Sequence, residues 1–283
     1  GFENVAVGDS ALNANTTGDD NTAIGNSALN QNTTGYHNTA VGANSLANNT
    51  TGDTNTAVGR SSLRNNTSGV DNVALGAYSL TNNISGTDNV SVGYSSLFYN
   101  TTGSDNTAIG DVSLAYNTTG SKNTALGKSA LYSLSTGSSN TAVGVDALKS
   151  NTSGSSNTII GQSALSANTI GERNTVIGLG AGESNITGSG NVIIGYQAGA
   201  KELGSNKLYI SNSNTETPLI GGDFSSNQVD INGTLNVSGS ITADQYLDKD
   251  GNSIIQKDAS SGEVTITSNK IVDANNQTYV KKD

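Results

Sequence analysis

The chain has no cysteine, tryptophan or methionine, and only one proline and one histidine in 283 residues. Without cysteine there is neither a disulfide framework nor thiol chemistry. Aromatics make up 5% of residues and hydrophobics 33%, too few for an ordinary globular core. Charged residues are scarce as well, at 13%, so the composition lacks the charge-rich signature of disorder. Lysines and arginines are scattered and the formal charge is −10, which leaves no basic face for a nucleic-acid partner. No apolar run reaches 18 residues, so no membrane-inserting helix is expected. The chain opens inside a repeat, at Gly1-Phe2-Glu3-Asn4, and reads as an internal or processed piece of something longer.

What is abundant is small and polar, and it is periodic. Asn recurs every 17 residues at twelve positions from Asn4 to Asn191, Asn21, Asn38 and Asn55 among them. Four residues after each comes Gly, from Gly8 through Gly25, Gly42 and Gly59 to Gly195. A fixed period this short marks a solenoid, too short for a pair of helices and suited to one β-coil. With Asn as position 0, position +1 is Thr or Val and position +3 is always aliphatic, for example Thr22 and Ile24. The two share one face of a short strand, because side chains alternate along it. Position +8 is Leu in ten successive units, Leu12 to Leu165, and is expected to point inward. A second Asn column at +11 runs from Asn15 to Asn117, breaks at Leu134 and resumes at Asn151. Its amides are expected to hydrogen-bond from coil to coil.

The expected fold is all-β: a parallel β-solenoid, or β-roll, of twelve coils over residues 1–203. The strand's +1/+3 face is expected to line the interior. The opposite position, +2, is Ala in eight of twelve units and is expected to pack against identical copies in a homotrimer. The last two units carry Gly182 and Gly199 where the others carry Leu, as capping repeats would. Residues 204–240 read as short strands, including Lys207–Ile210 and Gln228–Ile231, and 241–283 as an irregular connector to a distal part.

The unit Asn-Thr-Ala-Val-Gly, Ser-Ala-Leu, Asn-Thr-Thr-Gly resembles the head repeats of trimeric autotransporter adhesins, which carry a similar strand on a shorter period. It more closely resembles phage tail fibres and related tail-fibre-domain proteins. There, similar repeats lead into segments like Asn206–Asn214, Pro218–Phe224 and Val229–Val237. The resemblance covers roughly residues 1–240. It implies a homotrimeric structural fibre for host attachment, located in a virion tail and partnered by other tail or particle proteins. The alternative is an adhesin at a bacterial cell surface, and a remote one is an ice-binding solenoid, prompted by the Thr-Thr pairs at +12 and +13. Fibres of this group often end in a self-cleaving chaperone; no counterpart precedes Asp283, so no catalytic residue is carried over. A downstream cleavage or a shortened chain would both account for that.

Catalysis finds no support elsewhere: His37 is the sole histidine and has no nucleophile context. No enzyme activity, cofactor or metal is expected. The spacing Asp248-x-Asp250-x-Asn252 begins like a calcium loop, but its twelfth position is Ala259. Asp71, Asp88 and Asp105 stack at +16 and are expected to splay into water. The glycosylation-like Asn-x-Thr/Ser triplets coincide with the structural Asn columns. The remaining candidates are aromatic. Tyr99 and Tyr116 at +10, flanked by Phe98 and Tyr132 at +9, either cover a groove beside Leu97 and Leu114 or form an exposed strip on which a host glycan stacks.

Overall fold

The computed structural model describes residues 1–202 and 204–241, and traces by backbone alone five further strands between 246 and 281. Among the described residues there is no helix, and so none long and apolar enough to cross a membrane. Residues Gly1–Gly233 form one unit and Thr234–Asp283 another.

The first unit is a parallel β-solenoid of twelve coils, coil 1 beginning at Asn4 and coil 12 at Asn191. Each coil contributes one three-residue strand, from β1 (Val5–Val7) to β12 (Val192–Ile194). Thr and Val supply the β-branched side chains that favour extended backbone. Neighbouring strands pair without slippage: Thr22 faces Thr39, Ala23 faces Ala40, Ile24 faces Val41. At about 4.8 Å per coil, the stack is on the order of 55 Å long.

Glycine ends each strand. Gly25 has φ +135°, and a Cβ there would lie 2.6 Å from the carbonyl oxygen of Gly42 on the next coil. The second corner glycine works differently. Gly35 keeps an ordinary φ, but its Cβ would meet Asn32 Oδ1 and the Gly52 carbonyl, both at 2.5 Å. Between these corners the chain turns through left-handed residues such as Ser27 and Leu29, at φ 56° and 48°. That conformation is costly for non-glycine residues. Here it is imposed by coil-to-coil hydrogen bonds, such as Leu29 N–H to the Ser45 carbonyl at 3.0 Å.

The interior differs from the expected one at the strand. Position +8 does point inward, with Leu29 to Leu165 fully buried. But the strand residue facing it is +2: Ala23, Ala40, Ala57, Ser91 and Ile159 have no exposed surface. The +3 column points outward instead: Ile24, Val58, Ile109, Leu126 and Ile177 are each more than a third exposed, and Val41, Val92 and Val143 are partly exposed. Volume is the reason. Leu fills most of the width of a coil this thin, and in nine of the ten coils that carry it the residue opposite is Ala or Ser.

Both Asn columns are buried and tie the corners together. Asn21 Nδ2 donates to the Gly35 carbonyl at 2.8 Å, and its Oδ1 accepts the backbone N–H of Asn38 at 3.0 Å. Asn32 Nδ2 donates to the same carbonyl at 2.8 Å and to Asn15 Oδ1 at 3.0 Å. The pattern repeats at Asn38 and Asn55 on the Gly52 and Gly69 carbonyls, at 2.8 and 2.9 Å.

The stack closes by exchanging volume. Position +2 grows to Ile159, Val176 and Ile193 in coils 10 to 12; coil 10 still carries Leu165 at +8, and in coils 11 and 12 Leu gives way to Gly182 and Gly199. A Cβ on Gly182 would lie 3.1 Å from Ile193 Cδ1, and one on Gly199 would lie 3.4 Å from Tyr209 Cγ. The sheet continues past the last repeat. β13 (Lys207–Ile210) adds in parallel to β12, with Ile193 facing Tyr209 after a spacing of 16 residues. Lys207 N–H takes the place of an Asn, bonding to Asn191 Oδ1 at 2.8 Å. β14 (Ile220–Asp223) and β15 (Gln228–Ile231) then fold back antiparallel to complete a sheet of 15 strands. The Tyr209 hydroxyl donates to the Thr215 carbonyl. Lys207 Nζ reaches Asp223 Oδ2 at 2.9 Å, and the Ser225 hydroxyl together with Lys207 holds the Asp223 carboxyl well below the usual carboxylate range.

In the second unit, β16 (Tyr246–Leu247), β17 (Ser253–Lys257) and β18 (Val264–Ile266) form an antiparallel sheet. β19 (Lys270–Val272) pairs antiparallel with β20 (Thr278–Lys281). Leu203 and the calcium-loop candidates Asp248, Asp250, Asn252 and Ala259 lie outside the described residues.

Candidate functional site

The side of the coil between +9 and +12 carries an open groove of about 970 Å³ spanning coils 3 to 8. Its course follows one column of the repeat. Position +10 is Asn48, Asn65 and Asn82 in coils 3 to 5, then Tyr99 and Tyr116 in coils 6 and 7. Because the coils stack in register, residues 17 apart in sequence are neighbours in space.

The asparagines are joined in series. Asn48 Nδ2 donates to Asn65 Oδ1 at 2.9 Å, Asn65 Nδ2 to Asn82 Oδ1 at 2.9 Å, and Asn82 Nδ2 to the Phe98 carbonyl at 2.9 Å. At that point the tyrosines begin. Tyr99 and Tyr116 stack with ring centroids 5.0 Å apart and planes 29° from parallel. Tyr132 meets Tyr116 edge-on at 5.0 Å. Tyr99 and Tyr116 are each 44% exposed. Of the four aromatics singled out from the sequence, Tyr99, Tyr116 and Tyr132 line the groove. Phe98 does not; half-buried, it packs its ring edge-to-face against Tyr99 at 4.7 Å.

Thr67, Thr101 and Thr118 at +12 form the other wall, with Ile84 between them. Their hydroxyls are already engaged: Thr67, Thr101 and Thr118 Oγ1 donate to the carbonyls of residues 84, 118 and 135, at 2.9, 2.9 and 3.0 Å. These bonds lock successive coils together. They also leave the +12 array without the free hydroxyl donors that an ordered-water face would use.

No lining residue carries a charge at neutral pH. The Tyr116 hydroxyl, together with burial, raises the Tyr132 phenol above its ordinary value, so it too stays neutral. The Asn wall was missed from the sequence, although a signal was present: the column that holds Tyr99 and Tyr116 holds Asn in the three preceding coils, while the +12 threonines were singled out there only as a candidate water-ordering array.

The other candidates stand apart from this groove. His37 Nε2 lies 3.3 Å from Asp20 Oδ2, and its ring meets Tyr36 edge-on at 4.9 Å, all on the exposed surface. Asp71, Asp88 and Asp105 are exposed on successive coils. The triplet asparagines Asn32, Asn49 and Asn66 are fully buried within the ladder. A second aromatic pair, Tyr78 and Tyr94 at 5.8 Å, carries Arg60 over the Tyr78 ring at 5.6 Å.

No known protein family, no curated protein and no solved structure matches the chain.

Proposed function

We propose that this chain forms the shaft of a homotrimeric fibre, in a phage tail or a related contractile particle, that carries an attachment apparatus to a host cell surface. The observation that carries the reading is the outward +3 column. From Ile24 to Ile194 an aliphatic side chain occupies this position on every coil, beside Thr or Val at +1. The column runs the full stack, on the order of 50 Å. A contiguous apolar stripe of that length marks an interaction surface rather than scattered surface hydrophobics. A uniform, in-register stripe is best complemented by identical stripes on copies of itself. The face toward the partners is therefore the one the sequence assigned to the interior, and the small +2 face is the core. The number three rests on the resemblance to tail fibres. The rod itself has no catalytic constellation among its described side chains and is proposed as structural.

Light scattering on the purified chain tests this. A mass three times that of the 28.5 kDa chain is expected. The double variant Ile109→Lys, Leu126→Lys is expected to fall to monomer mass while keeping its β circular dichroism, because buried unpaired charge is not tolerated in an interface. A monomeric wild type sinks the fibre reading.

A further inference from the structure

The groove of coils 3 to 8 shares no residue with the +1/+3 face, so association through that face leaves it unassigned. We propose that this groove binds a neutral oligosaccharide laid along the solenoid axis, with the exposed surface of the Tyr99–Tyr116 pair as its stacking platform.

Tyr116 covers one face of the Tyr99 ring. Phe98 meets Tyr99 as well, edge-to-face, yet Tyr99 and Tyr116 each keep 44% of their surface exposed and both line the groove, where the column drops to the shorter Asn82 toward coil 5. A pyranose ring has an apolar C–H face that packs on an aromatic ring and a rim of hydroxyls that needs amide and hydroxyl partners. Both are present here in that order along the groove. Asn48, Asn65 and Asn82 are held in a fixed row by their mutual bonds. Each amide still has a second N–H and a second acceptor lone pair to offer. Fixing them beforehand lowers the ordering cost of binding. Successive amides recur once per coil, about 4.8 Å. That spacing is close to the length of one sugar unit in an extended glycan.

Other ligand classes fit less well. With no cationic side chain in the lining and a chain charge of −10, acidic glycans and nucleic acids have nothing to pair with. A peptide added as a strand needs free backbone groups. Those along this wall are already bonded from coil to coil, Thr67 N–H to the Ile84 carbonyl at 3.0 Å and Ile84 N–H to the Thr101 carbonyl at 2.8 Å.

This inference gives the proposed attachment role a ligand, and depends on that role only for which surface displays it. The test is a printed array of neutral and acidic oligosaccharides probed with the labelled full chain. Retention confined to neutral glycans is expected, falling about tenfold or more in Tyr99→Asn. That variant extends the Asn row of coils 3 to 5 and so preserves the coil. Tyr78→Ala, outside the groove, is expected to bind as wild type does. Retention of acidic glycans only, retention unaffected by Tyr99→Asn, or no neutral glycan retained overturns the proposal. Light scattering on the same samples separates the two readings. A monomer that still binds glycan refutes the fibre alone, and a trimer that binds none refutes the groove alone.

Discussion

Asn100 sits mid-way in the buried +11 column and makes three hydrogen bonds through one amide. Its Nδ2 donates to Asn83 Oδ1 at 2.8 Å and to the Gly103 carbonyl at 2.9 Å, and its Oδ1 accepts from Asn117 at 2.7 Å. Asn100→Leu is expected to lower stability by about 1–3 kcal/mol or more, since each orphaned buried group carries its own desolvation cost. Urea unfolding checks it, and an unchanged midpoint would mean the amide contributes only volume. The chain already contains one such break. Leu134 interrupts the column and leaves Asn117 Oδ1 and Asn151 Oδ1 buried with no partner. The column also reverses there. Before the break each Asn donates to the previous coil; after it, Asn151 donates to Asn168 on the following coil at 3.1 Å. The spacing of the asparagines made the column legible. Its polarity was not, because the direction of an amide depends on which neighbours it finds.

Within a coil, the strand and the opposing turn share a fixed volume. Ten coils fill it with Leu at +8, and most of these pair it with Ala at +2; coils 11 and 12 fill it with Gly at +8 and Val176 or Ile193 at +2. Backbone conformation does not require the change, because Leu165 adopts φ 49° and Gly182 φ 60° at the equivalent place. Gly182→Leu is therefore expected to overpack Ile193 and Leu165 and to cost about 1–3 kcal/mol. Adding Ile193→Ala is expected to recover most of that loss in thermal unfolding. If the second substitution makes matters worse, volume exchange is not what sets these residues. Alternation along the strand was plain in the sequence. Which face turned inward was not, because both +2 and +3 are apolar and only their size against Leu decides.

At the scale of the rod, every coil meets its neighbours through the same registered contacts, so stability is a sum of repeats and interfaces. Removing the 17 residues 140–156 is expected to leave a folded rod, one coil shorter by about 5 Å in small-angle scattering. Removing 140–155 instead shifts both Asn columns and the core by one position and is expected to abolish cooperative unfolding. Equal stability of the two deletions would show that register is not what holds the stack. The natural stack tolerates a shortened spacing at one place. At β13 the interval falls to 16 residues, where Lys207 substitutes only its backbone N–H for the missing Asn.

The sequence by itself determined the coil count, the two Asn columns and the inward Leu, because a strict period forces equivalent residues into equivalent places. It also named Tyr99, Tyr116 and Tyr132, which the groove brings together. Only the tertiary structure decided which strand face is core, since that depends on the width left beside Leu. Only the structure, too, joined Asn48, Asn65 and Asn82 to the tyrosines. Far apart in sequence, they share a wall because the chain returns to the same side once per coil.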